Sequence, residues 1–447
     1  MKLTVHNLGR IKDAELDIKP LTVFSGHNGT NKTWLAWALF ELLRAVSTGP
    51  NAVQMVMRGG DPDPLSEKVR EKLEPLFEVL SQGTSTAAVT LGVGALEVWP
   101  DGMLHTAMSH DNLTELLGKR ADLAVGAHVD LSISIHEMEA RHESVVVEFE
   151  PELGRLNVTS NWYFADGPPR AVKRSFTRPD WDDAALTHIA EWSLHQLLMT
   201  VLCFPAERAG LLLTAEGGDT DLELPDPMND FLKVMRLMRT TRRESPLREQ
   251  LLPFLSRIAG GEIRLAGAKG EERLVLDVAG RELPISVASS LSRSVAGLSH
   301  YLRAFASPGD VLLIDELEMN AHPVAQLALV ELMAVMVSYG IRIVFTTHSP
   351  YVIDHLNNLL EAGRAPEDRR EKLAEEFRLR TSRAFLSADK VSVYAFEEME
   401  MPDGSEVKVT NAIDPKSGLI TKSTFAPVTQ RLSQLFNAAL DASEADE

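Results

Sequence analysis

Apolar and polar residues alternate with a period of two over residues 2–7 and 11–19, the mark of strands with one covered face, and Gly9 lies between them as a turn. A third apolar stretch, 21–25, predicts another strand and runs into the glycine-containing loop 26–31. The segment Lys32-Thr-Trp-Leu-Ala-Trp-Ala-Leu-Phe-Glu-Leu-Leu-Arg has the length and apolar content of a helix, closed before the Gly49-Pro50 breaker. From there to about residue 186 the elements turn short and irregular. A charged helix is predicted near 66–80, and alternating stretches at 127–136, 144–150 and 171–177 predict strands, together an inserted α+β region.

Regular texture returns with an amphipathic helix over 184–199, a strand at 200–204, and helices near 227–239 and 246–258. A hairpin is predicted from 262–265 and 273–278, then a helix over about 288–305. Two continuous apolar runs, 310–315 and 342–346, read as strands covered on both faces, with a helix, 322–337, between them. Helices continue to about residue 379, 390–397 reads as a strand, and 424–440 closes as a helix before the acidic tail 442–447. There is no internal repeat and no heptad register long enough for a coiled-coil arm.

Composition narrows the class. Of 447 residues, 44% are apolar and 24% charged, the balance of a soluble globular protein with a large core. That length implies two to three folding units, or one nucleotide-binding domain carrying a large insertion. Acids outnumber bases 64 to 45, and a net charge of −19 opposes coating of a polyanion except through a local basic surface. The lone Cys203 excludes an intramolecular disulfide framework and an all-cysteine metal site, and it suits a reducing cytosol. No segment reads as a cleavable leader or as a membrane span, so a cytoplasmic protein without a membrane partner is expected.

Three segments carry candidate chemistry. Gly26-His27-Asn28-Gly29-Thr30-Asn31-Lys32-Thr33 stands between a strand and a helix. A triphosphate needs inward backbone N–H groups, a helix N-terminus, a lysine for the outer phosphates and a hydroxyl for magnesium, and this segment supplies all four. Asn31 takes the position where the P-loop pattern has glycine, and Asn is among the residues that best tolerate positive φ. The run 311–314 ends in Asp315-Glu316-Leu317-Glu318. There Asp315 would hold magnesium with Thr33, and Glu316 would orient or deprotonate the attacking water. The third run ends Thr346-Thr347-His348-Ser349-Pro350, where His348 would donate to a terminal phosphate. Each segment alone also admits a plain reading: a glycine turn with a surface lysine, acids capping the next helix, a hydrogen-bonded turn histidine. It is their order along one chain that joins them.

In that order the chain resembles the ABC-class ATPases of the SMC and RecF kind, and among them the OLD-like ATPases of bacterial anti-phage systems. The resemblance covers residues 1–43 and about 197–360, and more loosely the chain to 440. Cys203-Phe-Pro205-Ala206-Glu207-Arg208 is similar to their Pro-Ala-x-Arg segment, Leu283-Pro-Ile-Ser-Val-Ala-Ser289-Ser290 to their signature segment, and His322-Pro323 to their D-loop. Leu291 stands where related signatures have glycine, and Leu317 where they have proline. The resemblance implies an α/β P-loop NTPase with an ABC-type ATPase head, a mixed sheet with flanking helices and an inserted α+β region. It implies ATP and Mg2+ as ligands, held by Gly26, His27, Asn28, Gly29, Thr30, Asn31, Lys32 and Thr33, with Thr33 and Asp315 on the metal and Lys32, Glu316 and His348 catalytic. Ser289 and Ser290 would act across a dimer interface. The two departures point to slow hydrolysis, or to nucleotide binding used mainly to hold an assembly.

The expected division is 1–49 for the first part of the head, 50–186 for the insertion, 187–360 for the second part, and 361–447 for closing helices, a hairpin and a last helix. Only about 85 residues follow position 360, without an Asp-x-Asp pair, so a built-in nuclease is not expected; the acids Glu397, Glu398 and Glu400 read as a solvated turn. Of three basic patches, 170–178, Arg236 to Arg248 and 364–383, the middle one is the candidate for a local nucleic-acid contact and the last reads as an ion-paired helix. A head without arms, nuclease or membrane domain resembles the ATPase subunits of the PARIS and Septu defence systems. That implies self-association, a phage-encoded trigger and a separate effector protein, a nuclease. A RecF-like repair ATPase and a nucleotide-locked scaffold are the alternatives.

Overall fold

The computed structural model describes residues 1–48, 87–91, 103–109, 126–134, 142–150, 155–164, 167–177, 200–217, 224–240, 245–267, 272–401, 404–421 and 426–444. The helices expected at 66–80 and 184–199 lie outside them. The chain runs β1 (Lys2–Leu8), β2 (Ile11–Asp17), β3 (Leu21–Gly26), α1 (Lys32–Thr48), β4 (Ala87–Leu91), β5 (Met103–Ser109), β6 (His128–Ser134), β7 (His142–Glu150), β8 (Arg155–Phe164), β9 (Gly167–Thr177) and β10 (Val201–Phe204). Next come α2 (Arg208–Gly217), α3 (Asp226–Thr240), α4 (Arg248–Ala259), β11 (Glu262–Ala266), β12 (Arg273–Val278), β13 (Arg281–Pro284) and α5 (Ser290–Ala304). The last third holds β14 (Val311–Ile314), α6 (Pro323–Ser338), β15 (Arg342–Thr347), α7 (Pro350–Ala362), α8 (Glu367–Ala374), β16 (Val391–Met401), β17 (Gly404–Asn411) and α9 (Ala426–Glu444).

Among the described residues, ten strands form one mixed sheet in the order β10-β14-β15-β3-β16-β17-β2-β1-β6-β5. The first five of that order run parallel. Every residue of β3, β10, β14 and β15 is buried, which is why these strands are mostly apolar along both faces, whereas β1 and β2 alternate buried and exposed positions. Alternate residues of the parallel strands feed two cores. Val23, Phe204, Leu312, Ile314 and Phe345 pack with Leu251, Tyr301, Leu332 and Leu356 of the helices on one face. Phe24, Cys203, Val311, Leu313, Val344 and Phe396 pack with Leu35, Leu39 and Phe40 of α1 on the other.

The segment 50–186 is not uniform. Its β5 and β6 extend the main sheet beside β1, while β4, β7, β8 and β9 make a separate antiparallel sheet. The helical run expected to reach residue 379 ends at Ala374, where the chain turns so that the Arg378 and Leu379 N–H groups donate to the buried Glu331 carboxylate. The expected strand 390–397 continues to Met401 and pairs antiparallel with β17. Glu398 is therefore a strand residue, and it is not simply solvated: it takes the Arg10 guanidinium as an ion pair. Among the described residues no helix is long and apolar enough to cross a membrane.

The parallel order puts β14 between β10 and β15, and β15 beside β3. The carboxyl ends of three strands that are far apart in sequence, at Gly26, Ile314 and Thr347, thus lie side by side. In open α/β sheets this edge is where ligands bind.

Candidate functional site

The glycine loop begins where β3 ends. Gly26 lies so close to β16 that a Cβ there would meet the Phe396 carbonyl at 2.4 Å, and its φ is +155°, so only glycine fits. Asn31 has φ +62°, the left-handed conformation that its glycine-like position requires. Its side chain is anchored, because the Arg10 N–H donates to Asn31 Oδ1 at 3.1 Å and Gly9 leaves the room: a Cβ on Gly9 would sit 2.6 Å from Asn31 Nδ2. The Arg10 guanidinium also donates to the Gly29 carbonyl at 3.0 Å and reaches Glu398 and Ser405, so the β1–β2 turn and the β16–β17 hairpin brace the loop from outside.

Within the loop, His27, Asn28 and Gly29 are exposed and Thr30 is buried. Lys32 folds inward and donates to the His27 carbonyl at 2.6 Å and to Thr30 Oγ1 at 3.1 Å. Burial of the ammonium lowers Lys32 to about 8, against the pull of Asp315, Glu316 and Glu318. A phosphate oxygen could replace the His27 carbonyl as its acceptor, at the N-terminus of α1 where unpaired N–H groups favour an anion.

Thr33, Asp315 and Thr346 converge from three elements. Thr33 Oγ1 donates to Asp315 Oδ1 at 3.1 Å, and Thr346 Oγ1 donates to the same oxygen at 2.5 Å. Burial raises Asp315 from the ordinary carboxylate range, opposed by those two hydroxyls and by Arg208 and Lys32. Glu316 is raised by burial and then by Asp315, Glu318 and Glu207, and burial also raises Glu318. Three crowded carboxylates with raised values form a site that gains from a divalent cation. The hydroxyl of Thr33 and the carboxylate of Asp315 fit magnesium, which at phosphate sites takes one or two protein oxygens. Among the described residues no group of three or more His, Cys, Asp or Glu side chains has the spacing of a self-sufficient metal site.

Glu316 sits at φ +48°, its N–H donating to Thr346 Oγ1 at 2.8 Å. His348 Nε2 lies 3.8 Å from Glu316 Oε1. Burial, and then the Lys32 charge, lower His348 to about 4. The ring is therefore neutral near pH 7, and the contact is polar rather than an ion pair. The structure thus brings Lys32, Thr33, Asp315, Glu316 and His348 to one sheet edge. Ser289 and Ser290 are exposed at the start of α5, where Ser289 Oγ caps the helix by accepting the Ser292 N–H at 3.1 Å. Leu291 turns toward the core and does not cover that surface.

Several residues of the candidate segments make contacts that the sequence did not announce. The Leu317 N–H donates to the Thr346 carbonyl at 3.1 Å, a bond that the usual proline could not make. Glu318 Oε1 accepts the His348 N–H at 2.5 Å. Arg208 reaches the Asp315, Glu316 and Leu317 carbonyls. Of these, Arg208 had a motif to flag it, though not its partners. Cys203 is buried and its thiol is pushed up by that burial, so it offers no thiolate. In the middle basic patch, residues 241–244 and the Arg239 side chain lie outside the described part.

The family model described as "AAA domain, putative AbiEii toxin, Type IV TA system" matches residues 155–354, less than half of the chain. The match takes in the Asp315-Glu316 strand end and His348, and it begins after the glycine loop. The chain has a P-loop NTPase fold. Solved structures similar to it include an SMC head bound to the C-winged helix domain of ScpA, at 10% identity over 92% of this chain and 97% of that one, with a TM-score of 0.35. The SMC head domain from Thermotoga maritima matches at 11% identity over 92% and 98%, TM-score 0.31. An SMC head with an extended coiled coil, bound to the C-terminal domain of ScpA derived from Pyrococcus furiosus, matches at 10% identity over 92% and 96%, TM-score 0.35. These likenesses are too loose to bear on individual residues. No curated protein matches the chain in sequence.

Proposed function

We propose that this protein is a magnesium-dependent ATPase whose chemistry takes place at the carboxyl edge of β3, β14 and β15. The observation that carries the reading is the convergence of Thr33 and Thr346 on one oxygen of Asp315, with Glu316 and a neutral His348 beside the lysine-bearing loop. The loop N–H groups, the start of α1 and Lys32 bind the phosphates. Thr33 and Asp315 hold magnesium, which when bound neutralises charge on the outer phosphates. Glu316, raised by burial and then by its acidic neighbours, accepts the proton of the attacking water, and the neutral His348 keeps an N–H donor for the terminal phosphate. Glu316→Gln should abolish turnover while ATP still binds, and Lys32→Ala should abolish binding; ATP binding by Lys32→Ala at wild-type strength would refute the loop assignment.

The finer reading is an ATPase that self-associates through this edge and regulates a separate effector in antiviral defence. Self-association is supported by large apolar side chains left exposed next to the chemical segments: Val287 at 70%, before Ser289; Val324 at 46%, after Pro323; and Tyr351 at 52%, after His348. A second copy would bring its Ser289 and Ser290 to the nucleotide. The defence role is supported by the toxin–antitoxin description of the matching family model and by the chain's acidic charge, which favours a protein partner over a polyanion. Expression with its genomic neighbours tests this: a nuclease that co-purifies and is released by ATP turnover is the expected result, and salt-sensitive DNA binding without a protein partner would replace it with a repair role.

A further inference from the structure

Arg208, at the start of α2, is buried, and its five N–H groups all end on main-chain oxygens. Nε donates to Ser294 at 3.1 Å; one terminal nitrogen donates to Pro205 at 3.1 Å and Asp315 at 2.8 Å, and the other to Glu316 at 3.0 Å and Leu317 at 3.4 Å. Among the described residues no carboxylate makes an ion pair with it. A buried guanidinium spent entirely on carbonyls fixes backbone geometry, because its planar fork dictates where each oxygen must lie.

The oxygens come from three places: the end of β10, the turn after β14, and the second turn of α5. The turn contains Glu316, whose left-handed φ of +48° is unfavourable for a residue with a Cβ and persists only where its surroundings impose it. Thr346 fixes the Glu316 N–H and Arg208 fixes its carbonyl. A second tie runs from the same turn to the same helix, since Asn320 Nδ2 donates to Ser294 Oγ at 2.9 Å. Ser294 is thus held twice, through its carbonyl by Arg208 and through its hydroxyl by Asn320, one helical turn from the exposed Ser290.

We propose that Arg208 is a positioning residue that ties the main chain of Glu316 to helix α5, so that where α5 sits decides where the Glu316 carboxylate stands. The coupling rests on Glu316 acting as the base. It goes beyond that role by making the base responsive to the position of α5. The route is short and made of fixed parts: α5 moves as a body, Ser294 moves with it, and the five-donor fork carries the shift to the Asp315–Leu317 carbonyls.

The test compares Arg208→Lys with Glu316→Gln in the full chain. Lysine keeps the charge but has three donors from one point, so it cannot span the carbonyls. The readouts are Kd for a fluorescent ATP analogue, kcat and KM, and, without nucleotide, deuterium uptake in 290–295 and 315–318. In Arg208→Lys, Kd should stay within about twofold, kcat should fall by about tenfold or more at little-changed KM, and uptake should rise in both segments. Wild-type kcat and uptake in a folded Arg208→Lys protein would overturn the proposal while leaving the ATPase reading intact; wild-type turnover in Glu316→Gln would overturn both. Should Arg208→Lys not fold, Ser294→Ala removes the Asn320 tie and leaves the Arg208 fork alone to join α5 to the turn, so exchange at 315–318 should stay within about twofold of wild type. A rise of about tenfold or more there would show that Asn320 rather than Arg208 holds the turn and would overturn the coupling.

Discussion

Thr33 Oγ1, at the start of α1, donates a 3.1 Å hydrogen bond to Asp315 Oδ1, at the end of β14, joining residues 282 positions apart in the chain. Both groups sit where a metal beside a phosphate would share them. Asp315→Asn keeps the shape but removes the charge, so magnesium-dependent ATP affinity should fall by at least about tenfold, about 1.4 kcal/mol. Affinity measured in excess chelator should barely change. Equal losses with and without magnesium would remove Asp315 from the metal site.

Asn31 replaces a loop glycine and is held by Arg10 and by the space over Gly9. Gly9→Ala places a Cβ against Asn31 Nδ2 at a φ of +61°, so it should lower both thermal stability and ATP affinity although Gly9 touches no ligand. The stability loss should be about 1–2 kcal/mol, read from the melting temperature. Asn31→Gly should bind ATP about as well as the wild type, because glycine takes the left-handed conformation without cost.

The pH dependence follows from the direction of each shift. Lys32, lowered by burial to about 8, carries its charge below that pH and loses it above, so ATP affinity should weaken as pH rises through about 8. Bound phosphate raises Lys32 again, and binding above pH 8 should take up a proton, measurable by calorimetry in buffers of different ionisation heat. Glu316 is raised by burial and by Asp315, so kcat should drop on acidification at a pH above the ordinary glutamate value of 4.5. A flat profile from pH 5 to 9 would contradict both assignments.

Val287 and Tyr351 stand exposed beside the signature segment and His348. Val287→Asp and Tyr351→Asp should each prevent ATP-dependent self-association, seen by sedimentation, with ATP Kd within about twofold of wild type. Association unaffected by both substitutions would move the interface elsewhere.

The sequence by itself determined the central strands, because burial on both faces makes 21–25, 310–315 and 342–346 mostly apolar, and their apolar character does not depend on which strand lies next to which. It also marked Gly26, Lys32, Thr33, Asp315, Glu316 and His348, since phosphate and magnesium chemistry restricts residue type within a few positions. Asn31 was legible as a glycine substitute for the same local reason. Strand order, and with it the meeting of Thr33, Asp315 and Thr346, was decided only by the tertiary structure. So were the Leu317 N–H that replaces a proline's shape with a hydrogen bond, the Arg10–Glu398 brace between the two ends of the chain, and the Arg208 fork. Each of these depends on a main-chain atom or on a partner hundreds of residues away. A main-chain carbonyl is the same group in every residue, so nothing in the sequence records which carbonyls an arginine will find.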